Sequence, residues 1–431
     1  MRKLVFLAAV LLAACSAPSE PDLGYGADPQ LPAPAGGGLP VINVAEAVGW
    51  PTDAAPTAPA GFTVTRYAEG LEHPRQLYLL PNGDVLVAES STEPTEGGGL
   101  QGWIANMMQR RGGAQNPSAN RITLLRDSDG DGVVDTRHIF VEGLNQPFGM
   151  ALIGDHFYVA NTDAIVRFRY TPDAVRLTGA GETVLELPHR DTNNGHWTRN
   201  LAVSPDGGRL FVSVGSVTNI GDEGMEVEQG RAAIWVLNPD GSDARVFASG
   251  LRNPVGLGFE PATGVLWTAV NERDMLGDNL VPDYMTSVRD GAFYGWPYYY
   301  FGDHRDERVA IPENVRLQAP VAPDYALGAH TASLGLHFYT GQALPARYRG
   351  GVFIGQHGSW NRRTPAGYKV VFVPFADGRP SGDVEDFLTG FLNARGQAQG
   401  RPVGVATDRT GALLVADDAG DIVWRVAASA P

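Results

Sequence analysis

The sequence predicts an all-β fold, a six-bladed β-propeller with four-stranded antiparallel blades. Its 431 residues include 54 glycines and 31 prolines, and only 19% of them are charged. This composition favours many turns that join short strands over long helices. From Gly61 onward one unit repeats: an apolar strand, a Gly-Leu turn with proline, a second strand, a Pro-Asp-Gly-like turn and two further strands.

Six copies of this unit follow one another along the chain. Each has a segment that precedes or begins an inner strand, and the six segments are Gly70–Pro74, Gly143–Pro147, Asn193–Leu201, Gly250–Pro254, Ala332–Leu336 and Arg401–Ala406. Ring closure is expected to set Phe62–Tyr67 beside the last blade, because radial packing shields strand edges. A two-domain β-sandwich is the alternative, but it leaves the shared frame unexplained.

The shared frame also predicts a site. The inner strands of a propeller converge on its central channel, and His196, Arg252, Asn253 and Arg401 lie just before or at their starts. These side chains are therefore expected to surround one pocket. A histidine on such a loop can act as a base toward a ligand, and a hydrogen-bonded structural histidine is the alternative.

The first residues predict export and lipid anchoring. Met1-Arg2-Lys3 precedes an apolar run that ends at Ala14, and Leu12–Cys15 resembles a bacterial lipoprotein cleavage site. Residues 1–14 would be the signal peptide, Cys15 would carry lipid, and Ser16 favours the outer membrane, with the domain facing the periplasm. An ordinary secretory signal with a chance cysteine is the alternative. Cys15 is the only cysteine, so no intramolecular disulfide can form.

The rest of the chain divides into a tether and a domain. Residues 15–58 are rich in Pro, Ala and Gly and predict a tether, and residues 59–428 form the propeller. An insertion in the first blade places Trp103, Ile104, Met107 and Met108 at helical spacing, which predicts a short helix. A substrate lid and a membrane contact are alternatives for it. The net charge of −15, without a basic cluster, argues against a nucleic-acid partner.

An acidic loop follows the insertion. Asp127, Asp129, Asp131 and Asp135 occupy positions one, three, five and nine of a loop with glycine at position six, which resembles the calcium loop of an EF-hand. Position twelve is His138 instead of a bidentate glutamate. A calcium site and a plain acidic hairpin turn therefore stay equally open.

Several motifs, in this order, carry a family resemblance. They are His196–Leu201, Gly250–Pro254, Asn271–Asp283, Tyr294–Pro297 and His357–Arg362. Over about residues 60–427 the chain resembles the sorbosone dehydrogenase group of the pyrroloquinoline-quinone-dependent soluble sugar dehydrogenases. Those proteins are six-bladed calcium-binding propellers.

The resemblance implies a role for each matching residue. His196 would be the general base that takes the substrate hydroxyl proton while hydride passes to the quinone. Arg252 would stabilise charge on the cofactor oxygen, and Asn253 would hydrogen-bond the cofactor. The further cofactor-binding residues that it implies are Gln146, Arg362 and Arg401.

The resemblance also implies calcium. The backbone carbonyls of Arg273 and Asp274 would hold the ion against the quinone, where it would polarise a carbonyl, and Asp278 and Tyr294 would lie in a neighbouring ion site.

The chain departs from the glucose-oxidising branch of that family at several positions. Gly195, Asn200 and Asn279 stand where that branch has an aspartate, an arginine and an acidic residue. The lysine that contacts the cofactor in that branch has no clear counterpart. Lys369 belongs to a predicted strand, so Arg362 or Arg363 is the better substitute.

Three functional hypotheses follow. The leading one is a quinoprotein that oxidises a sugar, aldose or sorbosone-like hydroxy-aldehyde and passes electrons to a soluble carrier or a respiratory quinone. The second is a calcium-dependent lactonase-type hydrolase, which would need carboxylate or asparagine side chains converging on an axial metal. The third is a non-catalytic propeller that serves as a binding module.

Overall fold

A computed structural model describes residues 24–35, 41–94, 106–107, 109–113, 117–313 and 315–429. The predicted architecture is confirmed: six antiparallel sheets of four propeller strands surround one axis. Each blade runs from an inner strand at the axis to an outer strand at the rim, so the starts of the inner strands share one end of the axial channel.

The strand bounds of the six blades, from inner to outer strand, are as follows. Blade 1 has Pro74–Leu79, Val85–Glu89, Arg121–Arg126 and Thr136–Glu142; blade 2 has Met150–Ile153, His156–Ala160, Ala164–Arg169 and Glu182–Glu186; blade 3 has Leu201–Val203, Leu210–Val214, Ala233–Leu237 and Arg245–Ser249. Blade 4 has Pro254–Phe259, Leu266–Val270, Pro282–Ser287 and Tyr325–Ala329; blade 5 has Ser333–Phe338, Val352–Gln356, Lys369–Val373 and Glu385–Leu388; blade 6 has Pro402–Thr407, Leu413–Asp417, Ile422–Ala428 and Phe62–Glu69.

Blade 6 closes the ring as predicted. Its outer strand, Phe62–Glu69, comes from the start of the domain and pairs antiparallel with Ile422–Ala428, in the register Phe62 opposite Ala428. The two ends of the propeller are thus joined by backbone hydrogen bonds within one sheet. The short inner edges face the axial channel, where the packing of the blades around one axis protects them.

The inner strands meet at an apolar hub. Phe148, Val255, Leu334 and Val403, from four different blades, form one buried cluster there. Glycine makes the approach possible: a Cβ added at Gly335 would lie 2.0 Å from the carbonyl oxygen of Val403. Beyond the hub, apolar faces pack between blades, as in the cluster of Tyr348, Phe353, Phe387 and Trp424 between blades 5 and 6.

The opposite end of the axis opens into a second space. The ends of the inner strands of blades 1, 4, 5 and 6 line a cavity of about 620 Å³ that includes His337, Thr407 and Arg409. Nε2 of His337 forms a hydrogen bond of 2.6 Å with Oγ1 of Thr407. This cavity lies away from the strand starts, where the predicted site residues are.

A few short elements lie outside the blades. A short strand, Tyr25–Gly26, pairs with the rim strand of blade 4. The others are the paired strands Tyr299–Tyr300 and His304–Arg305, the paired strands Phe375–Ala376 and Arg379–Pro380, and the 3-10 helix Ala346–Tyr348.

The N-terminal segment differs from the predicted tether. In the described parts of residues 15–58, the chain hydrogen-bonds the propeller repeatedly: Ala35 N donates to Leu276 O, Asn43 N to Trp360 O and Thr57 N to Thr389 O. The Pro/Ala/Gly composition was misleading because this segment is held mainly through its backbone, which composition does not report. Cys15 and the signal peptide lie outside the described residues.

The predicted helix in the first blade is present in part. Residues 106–107 and 109–111 are helical. Of its predicted apolar face only Met107 is described, and its side chain is exposed; Trp103, Ile104 and Met108 lie outside the described residues. In the described part of the chain, no helix has the length and apolar character needed to cross a bilayer.

Candidate active site

His196 is held by its backbone and by one ring nitrogen. Its Nδ1 lies 2.9 Å from the carbonyl oxygen of Ser216 and 3.0 Å from that residue's Oγ, so Nδ1–H donates there. The His196 carbonyl accepts from Arg199 Nη1 at 2.7 Å and Arg231 Nη2 at 3.2 Å. Nε2 has no hydrogen-bond partner among the described residues. The ring is therefore fixed with its free lone pair on Nε2.

Two glycines allow the histidine loop to fit. A Cβ at Gly195 would lie 1.9 Å from the Val217 carbonyl oxygen, and the residue has a φ of +65°, which side-chain-bearing residues rarely adopt. A Cβ at Gly215 would lie 2.6 Å from the Cβ of His196 and 2.5 Å from Oδ1 of Asn253. The absence of an aspartate at position 195 thus has a steric cause in this chain.

His196 is neutral near pH 7. Burial of the ring and the positive charge of Arg252 lower its pKa to about 3, although the Ser216 hydrogen bond and Asp274 act in the opposite direction. A neutral imidazole with an open Nε2 can accept a proton, as a general base must.

Arg252 is buried and saturated with acceptors. Its Nε and Nη2 donate to Asn219, its Nη1 donates to Glu272 O at 2.7 Å, and Nη2 also lies 3.1 Å from Oδ2 of Asp274. A guanidinium has five N–H groups, and these contacts with a weaker one to Asn271 occupy them. Arg252 can therefore act on a ligand through its charge rather than through a free donor.

Asp274 links Arg252 to a second histidine. Its Oδ1 accepts from Asn361 Nδ2 at 2.7 Å and lies 3.3 Å from Nδ1 of His330, whose Nε2–H donates to Gly277 O. Arg252 and His330 hold the pKa of Asp274 at about 2, and Asp274 in turn raises the pKa of His330.

Arg401 is a buried cation without an acidic partner in the described part of the chain. Only 4% of the residue is exposed. Its Nη2 donates to Ala45 O at 3.2 Å, its guanidinium carbon lies 5.0 Å from the ring centroid of Tyr368, and its Nε has no acceptor. The Oδ1 atom of Asn253 is likewise buried without a donor. Unmet groups of this kind fit a ligand that carries carboxylates and hydrogen-bonding atoms.

A polar cluster that the sequence did not predict lies in blades 1, 5 and 6. Arg75 forms an ion pair with Asp418, which also accepts from Nε2 of His357 at 3.0 Å. The guanidinium of Arg75 lies 5.3 Å from the ring centroid of Trp197, next to His196. Its two basic neighbours hold the pKa of Asp418 well below the usual range. The tandem acids at the end of a buried strand, Asp417 and Asp418, were the available signal.

Gln146 and Arg362 lie near the mouth but are already engaged. Gln146 has a φ of +45°, and its Nε2 donates to Ser91 O at 2.8 Å. Arg362 donates from Nη1 to Ala329 O and from Nη2 to Oδ1 of Asn279 at 2.9 Å. These partners hold Asn279, and Asn200 is used structurally too, since its Nδ2 donates to Val255 O at the hub.

The implied calcium ligands do not form an ion site as they stand. The Asp274 carbonyl oxygen already accepts from Nε and Nη2 of Arg273, at 3.0 and 2.7 Å, and from Asn219 Nδ2 at 3.2 Å. Three N–H donors leave no lone pair for a cation, so the Asp274 carbonyl does not fit a calcium ion in this arrangement. Asp278 accepts from Arg363, whereas the hydroxyl of Tyr294 donates to Ser287 O within the apolar core of blade 4.

The acidic loop of blade 1 is compatible with both alternatives, a calcium site and a plain acidic turn. Carboxylate oxygens of Asp127, Asp129 and Asp135 all lie within 4.8 Å of one another. The carboxylate of Asp127 also accepts from Gly130 N and Gly132 N, and that of Asp131 from Val133 N at 2.8 Å, as in an acidic turn. His138 lies in the next strand, opposite Leu124.

The fold and site define a class: a six-bladed propeller whose axial mouth carries a neutral imidazole and buried guanidinium groups. A model of the TrAA12-like family matches residues 114–287 and 313–428, and the chain belongs to that family. A curated relative, the pyrroloquinoline quinone-dependent pyranose dehydrogenase of Coprinopsis cinerea, is 25% identical over 73% of this chain; the match spans 44% of that longer protein.

Two solved structures share the fold. The holo form of the quinone domain of the Coprinopsis cinerea pyranose dehydrogenase has a TM-score of 0.68 at 22% identity, over 89% of this chain and 100% of that one. The calcium structure of a Trichoderma reesei family AA12 protein has a TM-score of 0.69 at 20% identity, over 91% of this chain and 100% of that one.

Proposed function

We propose that this chain is a quinoprotein oxidoreductase that oxidises a sugar, an aldose or a sorbosone-like hydroxy-aldehyde, with pyrroloquinoline quinone bound at the axial mouth. The observation that carries the proposal is the presence, at one mouth, of a neutral His196 with an open Nε2 and a buried Arg401 without a carboxylate. Membership of the TrAA12-like family and similarity to the Coprinopsis pyranose dehydrogenase support it.

The residues of the chain divide the work between binding and proton transfer. When bound, the quinone would accept hydride from the substrate carbon. Arg401 would pair with one of its carboxylates, and Asn253 would hydrogen-bond it. His196 Nε2 would take the hydroxyl proton, while its Nδ1–H stays on Ser216 O. Together with burial, Arg252 keeps His196 neutral, and it would supply positive charge where the reaction makes negative charge.

The Arg75 cluster is the proposed wall for the substrate. Trp197 offers an aromatic face, and Asp418 and His357 offer an acceptor and a polar ring beside it. A hydroxylated substrate matches such mixed donors and acceptors. Its electrons would pass to a soluble carrier or a respiratory quinone, and the envelope location through Cys15 rests on the sequence alone.

Calcium should be included in the activity assay, although the residues at the mouth form no calcium site in their present arrangement. The Trichoderma protein has a calcium structure, and the main-chain oxygen of Arg273 accepts no hydrogen bond from the described residues. Movement of the Arg273 side chain away from the Asp274 carbonyl would be needed before both oxygens faced an ion. The acidic loop at Asp127 is a separate, surface proposal for the same cation.

A lactonase-type hydrolase is less well supported. It would need side-chain carboxylates gathered on an axial metal, yet in the described residues the one group of three or more acidic, histidine or cysteine ligands is Asp127, Asp129 and Asp135 in blade 1. At the mouth, Asp274 and Asp418 are each paired with an arginine and a histidine. Paired carboxylates of this kind are poor metal ligands.

Reconstitution tests the proposal. Apo-protein mixed with calcium and pyrroloquinoline quinone should reduce an artificial dye in the presence of aldoses. His196→Gln should keep quinone binding and lose turnover by about 10²–10⁴-fold, the usual contribution of a general base. His337→Gln, a buried histidine at the other end of the axis, is the matched control and should keep turnover. Lactone hydrolysis without quinone would favour the hydrolase, and full turnover in His196→Gln would reject the assigned base.

A further inference from the structure

We propose that residues 41–50, called here the strap, are part of the cofactor site: through Trp50 and Asp417 they position Arg401. The identity of the ligand rests on the function proposed above, but the positioning itself is a property of the fold. Trp50 and Asp417 touch no ligand in this proposal and act only through Arg401.

The strap lies across blades 5 and 6 on the side of the site. Its Asn43 side chain donates to the carbonyl oxygens of Arg362 and Arg363, both at 3.0 Å. Further along, Val48 N donates to Ala398 O, and Ala398 N donates to Glu46 O, each at 2.8 Å. The strap is thus joined to the loop between the second and third strands of blade 5 and to the connection between blades 5 and 6.

The strap also reaches the insertion of blade 1. Ala47 N donates to Arg111 O, and Nε of Arg111 donates to Val44 O, both at 2.9 Å. A segment bonded to blades 5 and 6 and to the blade 1 insertion spans part of the mouth. Its position is therefore set by several elements at once.

Asp417 is the junction between the strap and Arg401. Its Oδ1 accepts from Arg401 N at 2.7 Å and from Gly420 N at 2.9 Å. Its Oδ2 accepts from Trp50 Nε1 at 2.7 Å and from Trp424 Nε1 at 3.0 Å. One buried carboxylate thus joins the strap, through an indole, to the backbone N–H of the proposed cofactor-binding arginine.

The strap also contacts the guanidinium of Arg401. Ala45 O accepts from Nη2, and it is the hydrogen-bond acceptor of this side chain among the described residues. Ala45 packs with Tyr368, over whose ring the guanidinium lies. Both ends of Arg401 are consequently fixed by groups that belong to the strap or are bonded to it.

This arrangement exceeds what packing alone requires. A buried cation without an anion is costly, and a hydrogen bond donated to a strap carbonyl offsets little of that cost. A strap that served only to cover apolar surface would gain more from an apolar residue at position 401. The strap instead holds a charge in place and leaves its buried Nε without an acceptor.

Two tryptophans allow a matched test. Trp50 and Trp424 donate to the same oxygen of Asp417, but Trp50 belongs to the strap and Trp424 to blade 6. Trp50→Phe and Trp424→Phe each remove one indole N–H from that oxygen and keep an aromatic ring. We expect the dissociation constant of pyrroloquinoline quinone, measured by equilibrium dialysis, to rise about tenfold in Trp50→Phe and about twofold or less in Trp424→Phe.

A double variant shows whether the effect passes through Arg401. In an Arg401→Lys background, Trp50→Phe should change the quinone dissociation constant by less than about twofold, because the group that it positions has gone. Equal rises in both tryptophan variants, or a tenfold rise that persists with lysine at position 401, would overturn the proposal. A lower melting temperature in Trp50→Phe with unchanged quinone affinity would overturn it too.

Hydrogen exchange separates this proposal from the proposed function. Without any quinone, the Arg401 backbone amide should exchange faster in Trp50→Phe than in Trp424→Phe, because its acceptor loses the strap. Equal exchange in the two variants would reject the positioning role. Absence of quinone binding in the wild-type protein would instead reject the proposed function and leave the exchange result standing.

Discussion

His196 shows how one residue is prepared for proton transfer. Its ring is oriented by Ser216, its carbonyl oxygen is held by two arginines, and the glycine before it occupies a space where a Cβ would overlap the backbone. Burial and the neighbouring Arg252 lower the pKa of the ring and keep it unprotonated. Gly195 and Arg199 are visible in the local sequence, but Ser216 and Arg231 lie 20 and 35 positions away and Arg252 lies further still, so the local sequence shows only part of this environment.

The pH dependence of turnover follows from this environment. A free histidine loses its function as a base below its pKa of 6.5, whereas a pKa of about 3 keeps His196 neutral throughout the mildly acidic range. We expect the acid limb of kcat/KM for the reconstituted protein to lie well below pH 6.5, as measured in a series of buffers of constant ionic strength. An acid limb at 6.5 that disappears in His196→Gln would contradict this.

The lowered pKa of His196 also makes the free energy of unfolding depend on pH. The unfolded histidine binds a proton more tightly than the folded one between about pH 3 and 6.5, so its contribution to the free energy of unfolding rises with pH in that window and is lost as the pH falls. Asp417 acts oppositely, because burial raises its pKa to about 6 and its folded form is favoured when protonated. The two residues partly offset each other in mild acid.

At the scale of elements, the inner strands depend on close backbone approach. Gly335 and Val403 belong to adjacent inner strands, and the space for a Cβ at Gly335 is filled by a carbonyl oxygen. Gly258, also in an inner strand, has its nearest potential neighbour, Cδ2 of Leu336, at 3.4 Å. The two positions have similar secondary structure but differ greatly in the space available for a Cβ atom.

These two glycines give a direct test of hub packing. Gly335→Ala should lower the free energy of unfolding by about 2–3 kcal/mol because backbone must move. Gly258→Ala should change it by less than about 1 kcal/mol, and the lower entropy of its unfolded chain favours a small gain. Denaturant unfolding followed by far-ultraviolet circular dichroism measures both. Equal losses in the two variants would contradict the proposed importance of the axial contact.

The sequence repeat made the strands and blades predictable, but it did not predict the side-chain contacts between blades. Six copies of one frame specify six blades and place His196, Arg252 and Arg401 on strand starts, because each copy folds the same way. The Arg75–Asp418 pair joins residues 343 positions apart, in blades 1 and 6. Ring closure makes these two blades neighbours, but the repeat does not specify which of their side chains pair. The strap was missed for a related reason: backbone hydrogen bonds do not depend strongly on residue type.

At the scale of the whole molecule, ligand binding should increase the free energy of unfolding. A ligand that binds only the folded ring raises its free energy of unfolding by about 2.7 kcal/mol at one hundred times its dissociation constant. We expect pyrroloquinoline quinone to raise the melting temperature of the wild-type protein and of Arg409→Ala, whose arginine lines the opposite cavity. Arg401→Ala should show no rise at the same quinone concentration. A rise in all three proteins would place the quinone elsewhere.

The pairing of Phe62–Glu69 with Ile422–Ala428 also constrains how the protein is made. During synthesis the first of these segments emerges more than 350 residues before its partner, so the last sheet stays incomplete until Ile422–Ala428 has been made. A premature stop before Ile422 leaves a long exposed edge ready to pair with another chain. Such truncated products should therefore aggregate rather than accumulate as soluble five-bladed intermediates.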